Sequence, residues 1–449
     1  MGKNLTSGTP GLVILAFAIP LVIGNVFQQL YSMADAFVVS QEIGIAGLAA
    51  ITSTGSLQFL VLGFLIGVTS GASIITAQRY GAADSEGVRR SFTASIIICA
   101  FIAVVLMIIS ISVLRPLLVL LNTPPEIFEG SYNYFVMLLW GMPTVLLFNL
   151  LSNVMRAVGD SKTPLYYLIL ACVINVALDY FFIGFLGMGV IGAGLATIIA
   201  QLVSGLLCIP SIYKNLPMLR ITRADWKLPV SEYIEHLKIA LPVGFQWSII
   251  AIGAVAVTFS LNGLGYEAVA AFNIGQRIDQ FAGMPLASYG QALTTFTAQN
   301  YGAKKYSRIR TGAAQGCLIS SAFTVLMGVV FIISGDSISR IFLKDNAVAV
   351  ALAHKYLIIL GAFFVLLALL YTCRQVVQGI GNAIIPTISG IFELFMRGFA
   401  ALVLTRYFGY TGLCFASPLA FAGALIPLSI GFFIVLKRIK LLELRSGKL

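Results

Sequence analysis

The sequence contains little charge. Only 10% of its 449 residues are charged, while 59% are hydrophobic, and the mean hydropathy is +0.96. Soluble globular domains carry about 25% charged residues, so this chain has too few to cover a water-soluble fold. The composition therefore excludes a soluble domain and predicts an integral membrane protein.

Metal-ligating and catalytic patterns are also scarce. The chain has two histidines, and its six cysteines lie singly within apolar runs, without metal-ligand spacing. Neither HExxH nor GxSxG occurs, and a membrane-embedded enzyme would need a clustered nucleophile, base or metal set. We therefore expect buried thiols, no metal site, no cofactor and no enzymatic activity.

Long hydrophobic runs are abundant. A helix that crosses the hydrocarbon needs about 20 apolar residues, whereas transmembrane strands are about half that length. Twelve runs are long enough: 11–39, 45–72, 92–113, 131–155, 163–185, 189–212, 239–262, 267–294, 312–334, 350–373, 384–405 and 411–436. The sequence thus predicts an all-α integral membrane protein with twelve transmembrane helices.

Lysine and arginine are distributed unevenly between the connections. With the N-terminus inside, 20 of the 28 lie on the cytoplasmic side and five outside. This asymmetry follows the positive-inside rule, so we expect a multi-pass protein of the plasma (inner) membrane with both termini cytoplasmic. It also accounts for the net charge of +11 without a nucleic-acid partner.

The two halves of the chain resemble each other. Three blocks recur in the same order at offsets of 220 to 222 residues: "TAQRYGA" and "TAQNYGA", "RAVGDSKTP" and "QGIGNAIIP", "GVIGAGLAT" and "GYTGLCFAS". Because six spans separate the copies, both halves enter the membrane in the same direction, as parallel repeats do. We expect two pseudo-symmetric six-helix lobes around a central cleft, 1–212 and 239–449, with a cytoplasmic linker at 213–238.

Two apolar stretches each contain a single charged residue. Asp35 is alone in 4–41, and Asp179 is alone in 163–213. A charge near the bilayer centre costs about 2.5 kcal/mol or more, so intramembrane acids are candidates for function. The alternative for both is a helix-packing hydrogen bond.

Polar residues also recur along single helix faces. Asn25, Gln28, Ser32 and Asp35 follow steps of three and four, which form one stripe. Such a stripe should line a cleft or another helix. The candidates for a substrate cavity are Gln28, Ser32, Asn149, Asn153 and Asp279.

Several charged residues have structural explanations that compete with a functional one. Asp279 fits either a cleft wall or a structural polar pair. Glu393 and Arg397, at i and i+4, suit an internal ion pair. Arg374, near the end of its span, can extend its charge toward the membrane surface.

Together these features resemble the multidrug and toxic compound extrusion (MATE) family. The resemblance rests on twelve spans in two halves, the Asp after "QQLYSMA", the "AQxYGA" pair and the paired "GxGxxxxP", and it covers roughly 10–440. It implies export of organic, often cationic compounds in exchange for protons or sodium ions. The stretch "INVALDYFFIGFLGMGVIGAGLAT" further implies a cation-coupling site formed by Asp35, Asn175, Asp179 and Thr197.

The resemblance is closer to the DinF-like than to the NorM-like branch, because 239–266 and 356–373 contain no charged residue. Burial disfavours ionised carboxyls, so outside protons could neutralise Asp35 and Asp179 and drive rocking of the lobes. Sodium at the two aspartates is the alternative coupling ion, since hard cations favour oxygen ligands.

We expect a monomer that contacts membrane lipid and exports small organic cations and drugs. The rival function is a lipid-linked oligosaccharide or lipid flippase of related architecture.

Overall fold

The structure, a computed structural model, describes residues 4–121, 123–344 and 346–445. All regular structure in these ranges is helical. The helices of the first half are α1 (Pro10–Glu42), α2 (Ile45–Ser53), α3 (Gly55–Gly81), α4 (Ser85–Leu120), α5 (Pro125–Trp140), α6 (Met142–Ala157), α7 (Lys162–Asp179) and α8 (Gly189–Asn215). Those of the second half are α9 (Val230–Asn262), α10 (Tyr266–Gly302), α11 (Tyr306–Leu343), α12 (Ala347–Gly379), α13 (Ile384–Phe399), α14 (Thr405–Phe408), α15 (Tyr410–Cys414) and α16 (Ala416–Arg445).

Each of the twelve predicted spans lies on one or two of these helices. Within the described ranges, ten helices are long and apolar enough to cross a bilayer, and α5 with α6 forms an eleventh span bent by 48°. The twelfth, α10, is 37 residues long but contains Glu267, Arg277 and Asp279, which lower its hydropathy. The predicted fold class, an all-α membrane protein, is confirmed.

The helices form two compact units. The first unit contains Asn4 and Ile19–Gly244, and the second contains Leu5–Ala18 and the described residues from Phe245 onward. The lobe limits expected from the sequence, at 212 and 239, stay a prediction.

Two predicted spans of the first unit are broken for local reasons. Between α2 and α3, the Thr54 hydroxyl donates to the carbonyl of Ile51 and accepts from Gln58. Between α5 and α6, Gly141 is followed closely by Pro143, which has no backbone donor for the helix ladder. The second break bends the span by 48°.

A π-helical segment follows at the equivalent place in each half. Tyr180–Phe185 directly succeeds α7, and Ala400–Leu404 directly succeeds α13. Their starts are 220 residues apart, which matches the spacing of the sequence repeat. Such segments are rare in proteins and are often found at functional sites.

The connection between α8 and α9 is tied to the first unit by charge. The Nε of Arg89 donates to the Oδ2 of Asp225 at 3.2 Å, and the backbone and hydroxyl of Thr222 donate to the same carboxylate. Burial raises the pKa of Asp225, but the hydrogen bonds from Thr222 and the charge of Arg89 outweigh it, so the pKa lies below its usual value. The connection is therefore ordered by specific contacts.

In the second unit the backbones of α11 and α12 approach closely at two glycines. A Cβ added to Gly328 would lie 2.5 Å from the carbonyl oxygen of Gly361, and one added to Gly361 would lie 2.8 Å from that of Gly328. Small residues permit such close approach between membrane helices.

We predict that Gly328→Ala lowers the thermal unfolding temperature in detergent, because the new methyl group would press on rigid backbone. Overpacking typically costs about 1–3 kcal/mol. The matched control is Gly283→Ala in α10, where an added Cβ meets nothing within 4 Å. Equal melting temperatures for the two variants would contradict this account of the helix contact.

Candidate functional site

The four residues expected to couple the cation lie on three helices of the first unit. Asp35 belongs to α1, Asn175 and Asp179 to α7, and Thr197 to α8. Asn175 and Asp179 are four residues apart and so share one face of α7. Both are fully buried.

Thr197 is the point where these helices meet through polar contacts. Its hydroxyl oxygen accepts a hydrogen bond from the Tyr31 hydroxyl at 3.0 Å and from the Asn175 Nδ2 at 3.5 Å. A hydroxyl oxygen has two lone pairs, so both acceptor positions are used. One side chain thereby joins α1, α7 and α8.

The two acids are neighbours. The carboxyl groups of Asp35 and Asp179 lie close enough for each to feel the charge of the other. Two ionised carboxylates at such a separation would repel each other, so the pair is suited to hold a proton. The Oδ1 of Asp35 is also shielded from solvent and has no hydrogen-bond partner among the described residues.

Two tyrosines complete the surroundings of the acid pair. Tyr31 lies four residues before Asp35, on the same face of α1. Tyr134 of α5 is 4% exposed, hydrogen-bonds with Gln58 and lies close enough to both acids to feel their charge. Neither tyrosine was among the residues expected from the sequence, although the spacing of Tyr31 from Asp35 was a usable signal.

The predicted cavity residues of the first unit have different surroundings. Gln28 lines a narrow crevice with Tyr31 and Gln201. Ser32 is exposed, and its hydroxyl donates to the carbonyl of Gln28 in its own helix. The structure therefore places Gln28 beside Tyr31. The Ser32 hydroxyl instead forms a hydrogen bond with a carbonyl of its own helix.

Two predicted amides are on α6. Asn149 donates to the carbonyl of Val145, one turn earlier, at 2.9 Å. Asn153 is buried and donates to the Thr69 hydroxyl of α3 at 3.1 Å. The first contact lies within α6 and the second joins α6 to α3, so neither involves the acid pair.

Asp279, the remaining predicted residue, belongs to α10 in the second unit and lies near Arg397. In that unit, Glu393 and Arg397 form the expected ion pair, with 3.1 Å between Oε1 and a guanidinium nitrogen. The expectation that Arg374 extends toward the membrane surface is wrong. Its side chain is 5% exposed and bonds Glu393 at 2.8 Å, because the carboxylate on the following helix, α13, gives it a charged partner inside the unit.

Comparison with known proteins identifies the family. The family model described as MatE matches residues 20–181 and 242–400, and these two blocks start at the paired prolines Pro20 and Pro242. The chain belongs to the MATE family. Its members are transporters, so the prediction of this family and the exclusion of an enzyme are both confirmed.

Individual relatives match over nearly the full length of the chain. The chain is 27% identical to the "Probable multidrug resistance protein YoeA" of Bacillus subtilis, with 91% of this chain and 90% of that protein covered. It is also 27% identical to the "Probable multidrug resistance protein NorM" of Thermotoga maritima, over 97% and 92% of the two chains.

A solved structure of MATE in complex with MaL6 shares the fold. Its TM-score is 0.88 at 24% identity, with 99% of this chain and 100% of that chain covered. Such a similarity supports the MATE architecture assigned here.

The two neighbouring carboxyls lead to a prediction about the dependence of stability on pH. At low pH at least one of Asp35 and Asp179 carries a proton; as pH rises both ionise, and two adjacent carboxylates repel each other. We expect the thermal unfolding temperature of the wild type in detergent to fall as the pH rises. Asp179→Asn should flatten this decline, because the amide donates to Asp35 without titrating.

The control for this measurement is Glu86→Gln, which neutralises an exposed carboxylate of α4 outside the acid pair. This variant should keep the wild-type decline. An unfolding temperature of Asp179→Asn that follows the wild-type curve at every pH would show that the pair does not share a proton.

Proposed function

We propose that this MATE transporter exports organic, mostly cationic amphiphilic compounds in exchange for protons, with Asp35 and Asp179 as the coupling pair. The observation that carries the proposal is the proximity of these two carboxyls within an otherwise uncharged part of the first unit. The names of the YoeA and NorM relatives support multidrug export as the activity.

Proton binding and substrate binding would compete for the same charge. With its proton, the pair carries at most one negative charge; without it, the pair carries two and attracts a cation more strongly. Linkage is reciprocal, so a bound organic cation favours proton release and a proton taken up from outside weakens cation binding. This competition is the minimum that an antiporter needs.

The available driving force is adequate for export against a gradient. One pH unit is worth about 1.4 kcal/mol per proton, and one charge crossing 100 mV gains about 2.3 kcal/mol. In a one-for-one exchange of a proton for a monovalent organic cation no net charge crosses the membrane, so only the pH term counts and it allows about a tenfold concentration ratio. A neutral compound would gain both terms, which allow a ratio of about several hundred.

A structural change could start at the pair itself. The π-helical segment begins at Tyr180, directly after Asp179, and α1 contains Pro20, which removes a ladder hydrogen bond. Both helices therefore have a weakened turn along the segment that holds an acid. We propose that neutralisation repacks these turns and that rocking of the two lobes follows.

The geometry favours the proton over sodium. Sodium would need several oxygen ligands from the site. Thr197 would be one of them, yet both of its acceptor positions receive hydrogen bonds, from Tyr31 and Asn175. A sodium ion bound to Thr197 would have to displace these donors, whereas a proton on Asp35 or Asp179 needs no further oxygen ligand.

The remaining parts of the proposal follow from the sequence. We assign the chain to the DinF-like branch, because α9 has no charged residue from 239 onward. The distribution of lysine and arginine places it in the plasma (inner) membrane, with both termini cytoplasmic. We propose that it works as a monomer in contact with lipid. A flippase of related architecture is not favoured.

The test is ethidium flux in proteoliposomes under an imposed pH gradient, with and without a sodium gradient. The wild type should transport under the pH gradient alone. Asp35→Asn should reduce this flux at least tenfold, because one partner can no longer exchange a proton, while Glu86→Gln should transport normally.

Two outcomes would contradict the proposal. Flux that needs a sodium gradient and ignores pH would identify sodium as the coupling ion. Normal flux by Asp35→Asn under both gradients would show that Asp35 is only a packing residue.

A further inference from the structure

The second unit contains a buried cluster of charged side chains that the proposed coupling pair does not use. Glu393 accepts a hydrogen bond from Arg374 at 2.8 Å through Oε2 and from Arg397 at 3.1 Å through Oε1. The side chains of these residues are 6%, 5% and 13% exposed. One carboxylate thus faces two guanidinium groups, and the triad retains one positive charge.

The neighbouring acid does not neutralise that charge by direct contact. Asp279 of α10 is near enough for its charge to interact with Arg397. Among the described residues, however, it forms no ion pair within 4.0 Å, whereas Glu393 pairs with both arginines. Tyr371 of α12 lies close to the same four charged groups. The cluster therefore contains two guanidinium groups that share a single paired carboxylate.

Arg397 has a donor edge without an acceptor. Its Nε is shielded from solvent and has no hydrogen-bond partner among the described residues. Its aliphatic part packs on Gly253 of α9, where an added Cβ would lie 3.2 Å from the Arg397 Cδ. A guanidinium N–H without an acceptor can donate a charge-assisted hydrogen bond to a carboxylate or a phosphate.

We propose that Arg397 binds an acidic group, a carboxylate or phosphate, on the compound that this transporter carries. The second unit would then select amphiphiles that carry an acidic group as well as a cationic one. The role of the bound compound as cargo rests on the proposed export function. The binding itself does not, because it uses none of the residues of the acid pair in the first unit.

The test compares rhodamine B, which has a free carboxylate, with its ethyl ester, in which that group is masked. Binding to the purified full-length protein in an uncharged detergent is measured by fluorescence polarisation. The wild type should bind the acid roughly tenfold more tightly, as expected for a charge-assisted hydrogen bond. Arg397→Gln should remove this preference and leave the affinity for the ester unchanged.

The matched control is Arg406→Gln, which removes an exposed arginine of α14 in the same unit. This variant should keep the wild-type preference for the acid. If removal of either arginine reduced acid binding equally, the effect would be one of net charge, and the proposal would be overturned.

If Arg397→Gln does not fold, a second variant, Glu393→Gln, tests the same proposal. Glu393→Gln removes the carboxylate that occupies both arginines, so acid binding should become several-fold tighter while ester binding stays the same. A purely structural role for the triad predicts the opposite, a loss of binding for both dyes. Thermal unfolding of each variant checks that it is folded.

Anionic lipid is the other source of an acidic group. The binding measurement is therefore repeated with phosphatidylglycerol or phosphatidylcholine added at equal concentration. Displacement of rhodamine B by phosphatidylglycerol alone, with no export of the dye from proteoliposomes, would assign the site to a lipid headgroup and overturn the proposal. Loss of proton-driven ethidium export with the dye preference intact would contradict only the proposed function.

Discussion

A charge within the hydrocarbon region must be neutralised, paired or shared, and this constraint governs both units of the protein. Ionised groups lose several kcal/mol of solvation there, so the fold can keep them only in contact with each other. In the proposed mechanism, the first unit meets the constraint with a proton shared by Asp35 and Asp179. In the second unit, Glu393 lies between Arg374 and Arg397 and neutralises one of their two positive charges.

The two halves therefore share a scaffold and differ in chemistry. Both carry a π-helical segment at the same place in the repeat, after α7 and after α13. On α7 the segment follows an aspartate, and on α13 it follows a helix that carries an ion pair. A duplicated backbone can thus carry an acid pair in one half and a cluster of arginines and a glutamate in the other.

Much of this could be predicted from the sequence. The number of spans follows from runs of apolar residues, because hydrocarbon thickness sets helix length. Asp35 could be found because it is the only charge in a long apolar run. Asn175, Asp179 and Thr197 were implied by the family resemblance, and the structure brings their side chains together around Asp35.

The rest depended on which helices pack against each other. Tyr134 contributes from α5, and no spacing along the chain indicates that α5 faces α1. Arg374 was misassigned for the same reason, since its partner Glu393 is on the next helix and only tertiary packing reveals the pair. The nearby Pro143 indicates from the sequence that the helix breaks at Gly141. Nothing in the sequence predicts the angle of the bend.

The central claim is that the acid pair of the first unit exchanges its proton for the substrate. The most direct measurement is proton release when ethidium binds to the purified protein in weakly buffered detergent, followed with a pH indicator near neutral pH. The account predicts release of up to about one proton per bound ethidium, and none from Asp35→Asn. Ethidium binding without proton release in the wild type, or equal release by Asp35→Asn, would contradict it.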